Sequence, residues 1–322
     1  MKKLTVFYSP KYHDRITHLN QNGDKEYYLD TAIKPLWVYE MLKESTDYLI
    51  AEPDERITED DLLRVHSKEY LKSLKDGVPL NLAMSSGLRW VPELYRASLS
   101  NVNGYYSAAL QSIKDRVSCS LSTNFHHATR SQGSGFCVLN GFAIVAKKLI
   151  SEKMVTKILI LDCDYHYGDG NAVTFENDNQ IQIFDIYGGL HSQEIDVLKA
   201  SNIVSYRVDS SEEYFSKLDM LTEILDNFKP EIVLYDAGMD VWIESRIGKI
   251  SGMNAKNIRR RESFIFNVCK ERNIPVCFVI GGGYVRYKNE NGAPLSQSEI
   301  ENNINELVNI HKTTFEEAFK AI

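Results

Sequence analysis

The sequence is poor in the features that mark disulfide scaffolds, membrane proteins and linker-jointed chains. Its five cysteines (Cys119, Cys137, Cys163, Cys269 and Cys277) include no Cys-x-x-Cys pair. Most lie inside apolar runs, which predicts small buried thiols in a reducing compartment rather than a disulfide framework. No stretch approaches the roughly 20 apolar residues of a membrane span. Lys2 and Lys3 precede an apolar run too short for a secretory signal, with no small-residue cleavage site after it. The expected setting is therefore soluble and cytoplasmic. Basic charge is not in excess either: 37 Lys and Arg against 44 Asp and Glu give a net charge of −7. That argues against nucleic acid as a partner held through bulk charge. Only eight prolines, no Ser/Gly-rich linker and no internal repeat interrupt the 322 residues, so one domain over 1–322 is expected.

What is present is an alternation of apolar runs and helical periodicity. Ile158–Leu161, Ile181–Ile186, Ile232–Tyr235 and Val276–Ile280 read as buried strands, and Val6–Tyr8 as a first one. A helix is expected from Ser210 to Phe228, where Ser210 and Glu213 resemble a capping box and Leu218, Leu221, Leu225 and Phe228 share one face. Lys229-Pro230 stops it. Further helices are expected near Asn254 to Arg272 and from Glu59 to Leu74, while residues 79–95 read as a loop at a site rim. The pattern predicts an α/β fold with a central, mostly parallel sheet of about eight strands and helices on both faces. Its functional loops should lie at the carboxyl ends of the strands.

The chemistry concentrates after one strand. Leu161-Asp162-Cys163-Asp164-Tyr165-His166 places Asp162, Asp164 and His166 at alternate positions, so strand geometry predicts that they share a face. Two carboxylates and an imidazole together repel or stay unsatisfied unless a cation joins them. The competing reading is a polar loop after a strand. Four other segments put polar groups or glycine turns at expected strand ends: Phe125-His126-His127-Ala128, Gly135-Phe136-Cys137-Val138-Leu139-Asn140, Tyr235-Asp236-Ala237-Gly238-Met239-Asp240 and Ile280-Gly281-Gly282-Gly283-Tyr284. Alone, each also reads as a turn, a cap or a surface histidine pair.

With these motifs in this order, the chain resembles the zinc-dependent histone deacetylase family of the arginase/deacetylase superfamily, in its bacterial, class IV-like branch. The resemblance runs from about residue 60 to about residue 285. It implies that Asp164, His166 and Asp240 hold a catalytic Zn²⁺, with Fe²⁺ as the alternative. It also implies His127 as general base and acid, His126 as its electrostatic partner, Asp162 and Asp169 as the carboxylates orienting them, and Tyr284 as the oxyanion donor. A structural K⁺ would lie at Asp162, Asp164, backbone near His166 and Asp185. Gly135, Phe136, Ile247 and Gly282 would line the substrate tunnel.

Departures from the family pattern bear on the substrate. Tyr167 replaces a second histidine, Ser245-Arg246-Ile247-Gly248 replaces Asp-Pro-Leu-Gly, and Gly188-Gly189-Leu190-His191-Ser192 replaces the segment carrying the aromatic that faces Phe136. His191 reads either as a residue of the site rim or as a lone solvent-exposed histidine, the latter being the commoner case. Trp90, Val91 and Pro92 read either as entrance or as core. The implied activity is removal of acetyl or longer acyl groups from lysine in proteins or peptides. Two alternatives accompany it: hydrolysis of small acylated amines such as acetylpolyamines, and acyl-lysine binding without turnover. An arginase-like centre fits less well, because Asp236 and Asp240 are four residues apart rather than two.

Overall fold

Burial along the strands alternates between two separate cores, which is what a sheet covered on both faces requires. Leu159, Leu161, Val233, Tyr235 and Phe278 enter one core, and Ile158, Ile160, Ile232, Leu234, Cys277 and Val279 enter the other. The computed structural model describes residues 2–13 and 30–322, apart from 124, 194 and 290. Its strands are β1 (Leu4–Phe7), β2 (Tyr48–Ala51), β3 (Val117–Ser120), β4 (Ile158–Asp162), β5 (Ile181–Tyr187), β6 (Ile203–Arg207), β7 (Ile232–Asp236) and β8 (Val276–Val279). They form one eight-stranded sheet in the order β2-β1-β3-β8-β7-β4-β5-β6, with parallel pairing throughout. The expected fold class is thus observed.

Register decides where the chemistry sits. Asp162 at the end of β4 lies opposite Asp185 in β5 and Asp236 in β7. Strands are about 4.8 Å apart, so three carboxylates abut where the strands end. Each is at most 1% exposed, so the fold needs positive charge there.

Three helical expectations change. The segment 210–228 is two helices, Ser211–Leu218 and Leu221–Phe228. Between them the Met220 N–H turns back to the Lys217 carbonyl, a three-residue step that tightens the backbone. The segment 59–74 is likewise split into Glu59–Leu63 and Lys68–Asp76. There the Ser67 N–H leaves for the Arg130 carbonyl at 2.7 Å, and the Ser67 hydroxyl caps the next helix. Finally, the expected loop 79–95 contains a short helix, Leu80–Ala83, and the start of the helix Pro92–Asp115. That helix and Gln297–Ala321 are the longest in the described residues. No helix among those residues is long and apolar enough to cross a membrane.

Candidate metal centre and active site

β4 ends at Asp162, so pleat alternation does not align Asp164 and His166 as the sequence suggested. Two successive side-chain turns do. Asp162 Oδ1 accepts the Asp164 N–H at 3.1 Å, and Asp164 Oδ1 accepts the His166 N–H at 2.8 Å. Each aspartate caps the amide two residues on, the local bond that makes aspartate a turn former.

Asp240 reaches this turn from the loop after β7. A side chain at Gly238 would lie 2.4 Å from Asp164 Cα, so only glycine permits that approach. Asp240 Oδ1 accepts the Tyr165 N–H at 2.8 Å, and His166 Nδ1 lies 3.0 Å from Asp240 Oδ2 and 3.2 Å from Asp164 Oδ1. One donor atom from each of Asp164, His166 and Asp240 falls within 4.8 Å of the others. Asp164 Oδ2 is buried without a hydrogen-bond partner. Gly282 faces the same space at φ +42°, and a Cβ there would meet Asp240 Oδ1 at 2.5 Å and Asp164 Oδ2 at 2.7 Å. An orphaned carboxylate oxygen, a second carboxylate and an imidazole beside a glycine-lined gap fit a divalent cation. The proton states agree: burial opposes charge on His166, but Asp164 and Asp240 outweigh it and push the imidazole up to about 10. The cluster thus already attracts one positive charge.

Two imidazole–carboxylate pairs flank the centre. His126 Nδ1 lies 2.9 Å from Asp162 Oδ2, and His127 Nδ1 lies 2.6 Å from Asp169 Oδ1. Carboxylates only accept, so both Nδ1 atoms carry the proton. The pairs then diverge. Burial works against charge on His126, yet Asp162 and Asp164 outweigh it and raise it well above the ordinary range. Burial, then the neighbouring His126, His191 and His166, hold His127 well below it. Burial also raises Asp169 to about 6. The two imidazoles are thus pushed in opposite directions, His126 toward its charged form and His127 toward its neutral form.

The loop carrying Gly135 and Phe136 closes over His127. Gly135 has φ +49°, and a Cβ there would lie 2.2 Å from His127 Cδ2. The Phe136 N–H donates to the Ser86 carbonyl at 2.8 Å, so residues 84–87 do support the rim. The Phe136 and Tyr284 ring centroids are 6.4 Å apart, with the rings inclined at 60° to each other. Ile247 lies in a loop that leaves Asp240 and returns to it, the Lys249 N–H donating to the Asp240 carbonyl at 2.6 Å. Asp185 Oδ2 accepts the Gly168 N–H at 2.9 Å, while its Oδ1 is buried without a partner.

His191 is not a lone exposed histidine. Its ring lies 4.0 Å from that of His127, its Nε2 is 2.8 Å from Ser134 Oγ, and its Nδ1 is 3.7 Å from Asp169 Oδ1. It stands beside His127, in the segment that replaces the one carrying the family's aromatic. Trp90 resolves toward core: its Nε1–H donates to the Leu74 carbonyl at 2.8 Å and its ring covers Gly77. The sequence also gave no sign of Lys34. It is fully buried, and its ammonium donates to the carbonyls of Gly281 and Gly282. Its partners are some 250 positions away, beyond any local pattern.

The chain matches the family described as the histone deacetylase domain over residues 30–299. It is 30% identical over 224 residues to an uncharacterized protein of Picosynechococcus, covering 69% of this chain and 74% of that protein. It is 27% identical to Histone deacetylase 2 of Arabidopsis thaliana, covering 70% of this chain and 61% of the relative. It is also 27% identical to the acetoin utilization protein AcuC of Staphylococcus aureus, covering 57% and 53%. The chain thus spans little more than half the length of the last two. An acetylpolyamine aminohydrolase from Burkholderia pseudomallei has the same fold, with a TM-score of 0.73 over 98% of each chain at 16% identity.

Proposed function

The chain belongs to the histone deacetylase family, a family of metal-dependent hydrolases of linear amides, and on that premise we propose that it removes acetyl or longer acyl groups from lysine side chains of proteins or peptides. The observation that carries this reading is the Asp164–His166–Asp240 cluster flanked by two Asp–His pairs of opposite proton state. Asp164, His166 and Asp240 would hold a Zn²⁺, or Fe²⁺, which when bound would supply polarisation of the scissile carbonyl and acidification of the attacking water. Neutral His127, fixed by Asp169, presents Nε2 to take a proton from water and return it to the leaving amine. Cationic His126, fixed by Asp162, adds positive charge toward the forming oxyanion, and Tyr284 donates its hydroxyl to it. Gly135, Phe136, Ile247 and Gly282 line the acyl-amine channel. Asp162, Asp164 and Asp185, with backbone near His166, would hold a K⁺, whose charge would relieve the crowding of carboxylates.

A second reading, hydrolysis of small acylated amines such as acetylpolyamines, is favoured by the polar wall of His191 and Ser134. Turnover of lysine peptides bearing acetyl to long fatty acyl groups, beside acetylpolyamines, separates the two. Peptide turnover that is abolished in His166→Ala supports the proposal. Turnover in that variant equal to wild type, with contaminating hydrolases removed, contradicts it. Binding of acyl-lysine without acetate release after Zn²⁺ or Fe²⁺ addition would instead identify a non-catalytic reader.

A further inference from the structure

Arg261, on the helix Ala255–Glu271, has no exposed surface. A guanidinium in a protein interior is costly unless its charge is balanced and its donors are used. Both conditions are met. Arg261 Nε donates to Glu262 Oε1 at 2.7 Å, and the Glu262 carboxylate also accepts the Tyr235 O–H at 3.0 Å. The remaining donors go to backbone. Arg261 Nη1 donates to the Gly238 carbonyl at 2.8 Å and to the Cys163 carbonyl at 3.3 Å, and Nη2 lies 3.7 Å from Met239 Sδ.

The identity of those carbonyls is the informative part. Cys163 directly precedes Asp164, while Gly238 and Met239 directly precede Asp240. The two carboxylates come from different strand ends, which the Tyr165 N–H to Asp240 Oδ1 bond joins through the ligand side chain itself but which few backbone bonds tie together. The Cys163 N–H donates to the Asp236 carbonyl at a long 3.2 Å, and Gly238 touches Asp164 Cα. One planar group bonds both loops. We propose that Arg261 is a positioning residue: its guanidinium clamps the loops before Asp164 and Asp240 and so sets the spacing of the two carboxylates that hold the metal. This inference rests on the reading that those residues are metal ligands. Because Glu262 balances its charge, the clamp acts through geometry, and a lysine, with a single ammonium, does not reproduce the fork.

If the Arg261–Glu262 pair served only the core, replacing it with apolar groups of similar volume would be harmless, since such exchanges are often neutral or stabilising. The test uses Arg261→Met/Glu262→Leu/Tyr235→Phe, which also removes the phenol that would lose its acceptor, beside Arg261→Lys. Two quantities are read: thermal unfolding of the metal-free proteins, and Zn²⁺ affinity by competition with a chromophoric chelator. The expected result is an unfolding temperature close to wild type in the triple variant with Zn²⁺ affinity lowered roughly 10- to 100-fold. A folded triple variant with wild-type affinity overturns the clamp. If that variant does not fold, Arg261→Lys decides, because unchanged affinity there overturns the clamp equally. A wild-type protein with no saturable Zn²⁺ site would overturn the metal reading and the clamp with it.

Discussion

Single residues set the site's tolerances, and glycine does so by absence. Gly135 lies against the His127 ring at positive φ, so Gly135→Ala must displace His127 or the loop. Misplacement of about 1 Å costs on the order of 10²-fold, and kcat should fall by about that factor while the circular dichroism spectrum is retained. Tyr284→Phe should lower kcat about 10²- to 10³-fold with bound metal unchanged, as loss of one oxyanion donor does. Active-site titration against metal content separates that outcome from metal loss. His191→Phe restores an aromatic wall beside His127; it should shift preference from small acylated amines toward longer acyl-lysine peptides, read as the ratio of kcat/KM for the two substrates. The clustering of Asp164, His166 and Asp240 was legible because short motifs carry those residues. His191, Lys34 and Arg261 were not, since each gains its meaning from groups about 20 to 250 positions away.

At the scale of elements, tertiary bonds override local periodicity. His66 shows how. Its Nδ1 lies 2.8 Å from the Thr129 carbonyl and its Nε2 accepts the Asn140 N–H at 3.0 Å, holding the chain where the helical pattern of 59–74 runs on. The first half of that segment is fixed by its cap. Asp61 accepts the Thr58 N–H at 2.9 Å and the Lys148 ammonium at 2.8 Å. Burial raises the Asp61 carboxyl, but Lys148 and the Thr58 donors outweigh it and hold it below the usual range. The unfolded chain therefore binds this proton first as pH falls. The stabilisation is complete above the ordinary aspartate value of about 4 and is lost as pH drops through the lowered native value. Asp61→Asn should cost about 2 kcal/mol at neutral pH and flatten the acid limb of the unfolding temperature against pH. Thermal melts between pH 2 and pH 7 check both. Strands with apolar runs were legible, whereas β2, β3 and β6 were not: β2 and β6 are partly exposed at the sheet edges, and β3, Val-Ser-Cys-Ser, buries two serines. The helix Pro92–Asp115 escaped notice because it buries polar residues, Asn101, Asn103 and Ser107 among its core contacts.

At the scale of the whole molecule, parallel strands and register together make the site. β7, β4 and β5 are neighbours; β4 and β7 end in buried aspartates, and Asp185 stands opposite Asp162 two residues before the end of β5. Parallel strands bring all three ends to one edge of the sheet, where the helices leave a crevice. The alternation of strands and helices announced that edge, but not the register that sets Asp185 and Asp236 beside Asp162. One sheet runs from β2 to β6 with cores on both faces, and we propose that the chain works as one catalytic unit. The most direct test of that unit is reconstitution of chelator-stripped protein with one equivalent of Zn²⁺, following acetate release from an acetyl-lysine peptide in wild type and in Asp164→Asn/Asp240→Asn. The account predicts no turnover in the stripped protein, full recovery at one equivalent in wild type, and neither binding nor recovery in the double variant. Turnover that survives stripping, or a double variant that binds Zn²⁺ and recovers as wild type does, would contradict it.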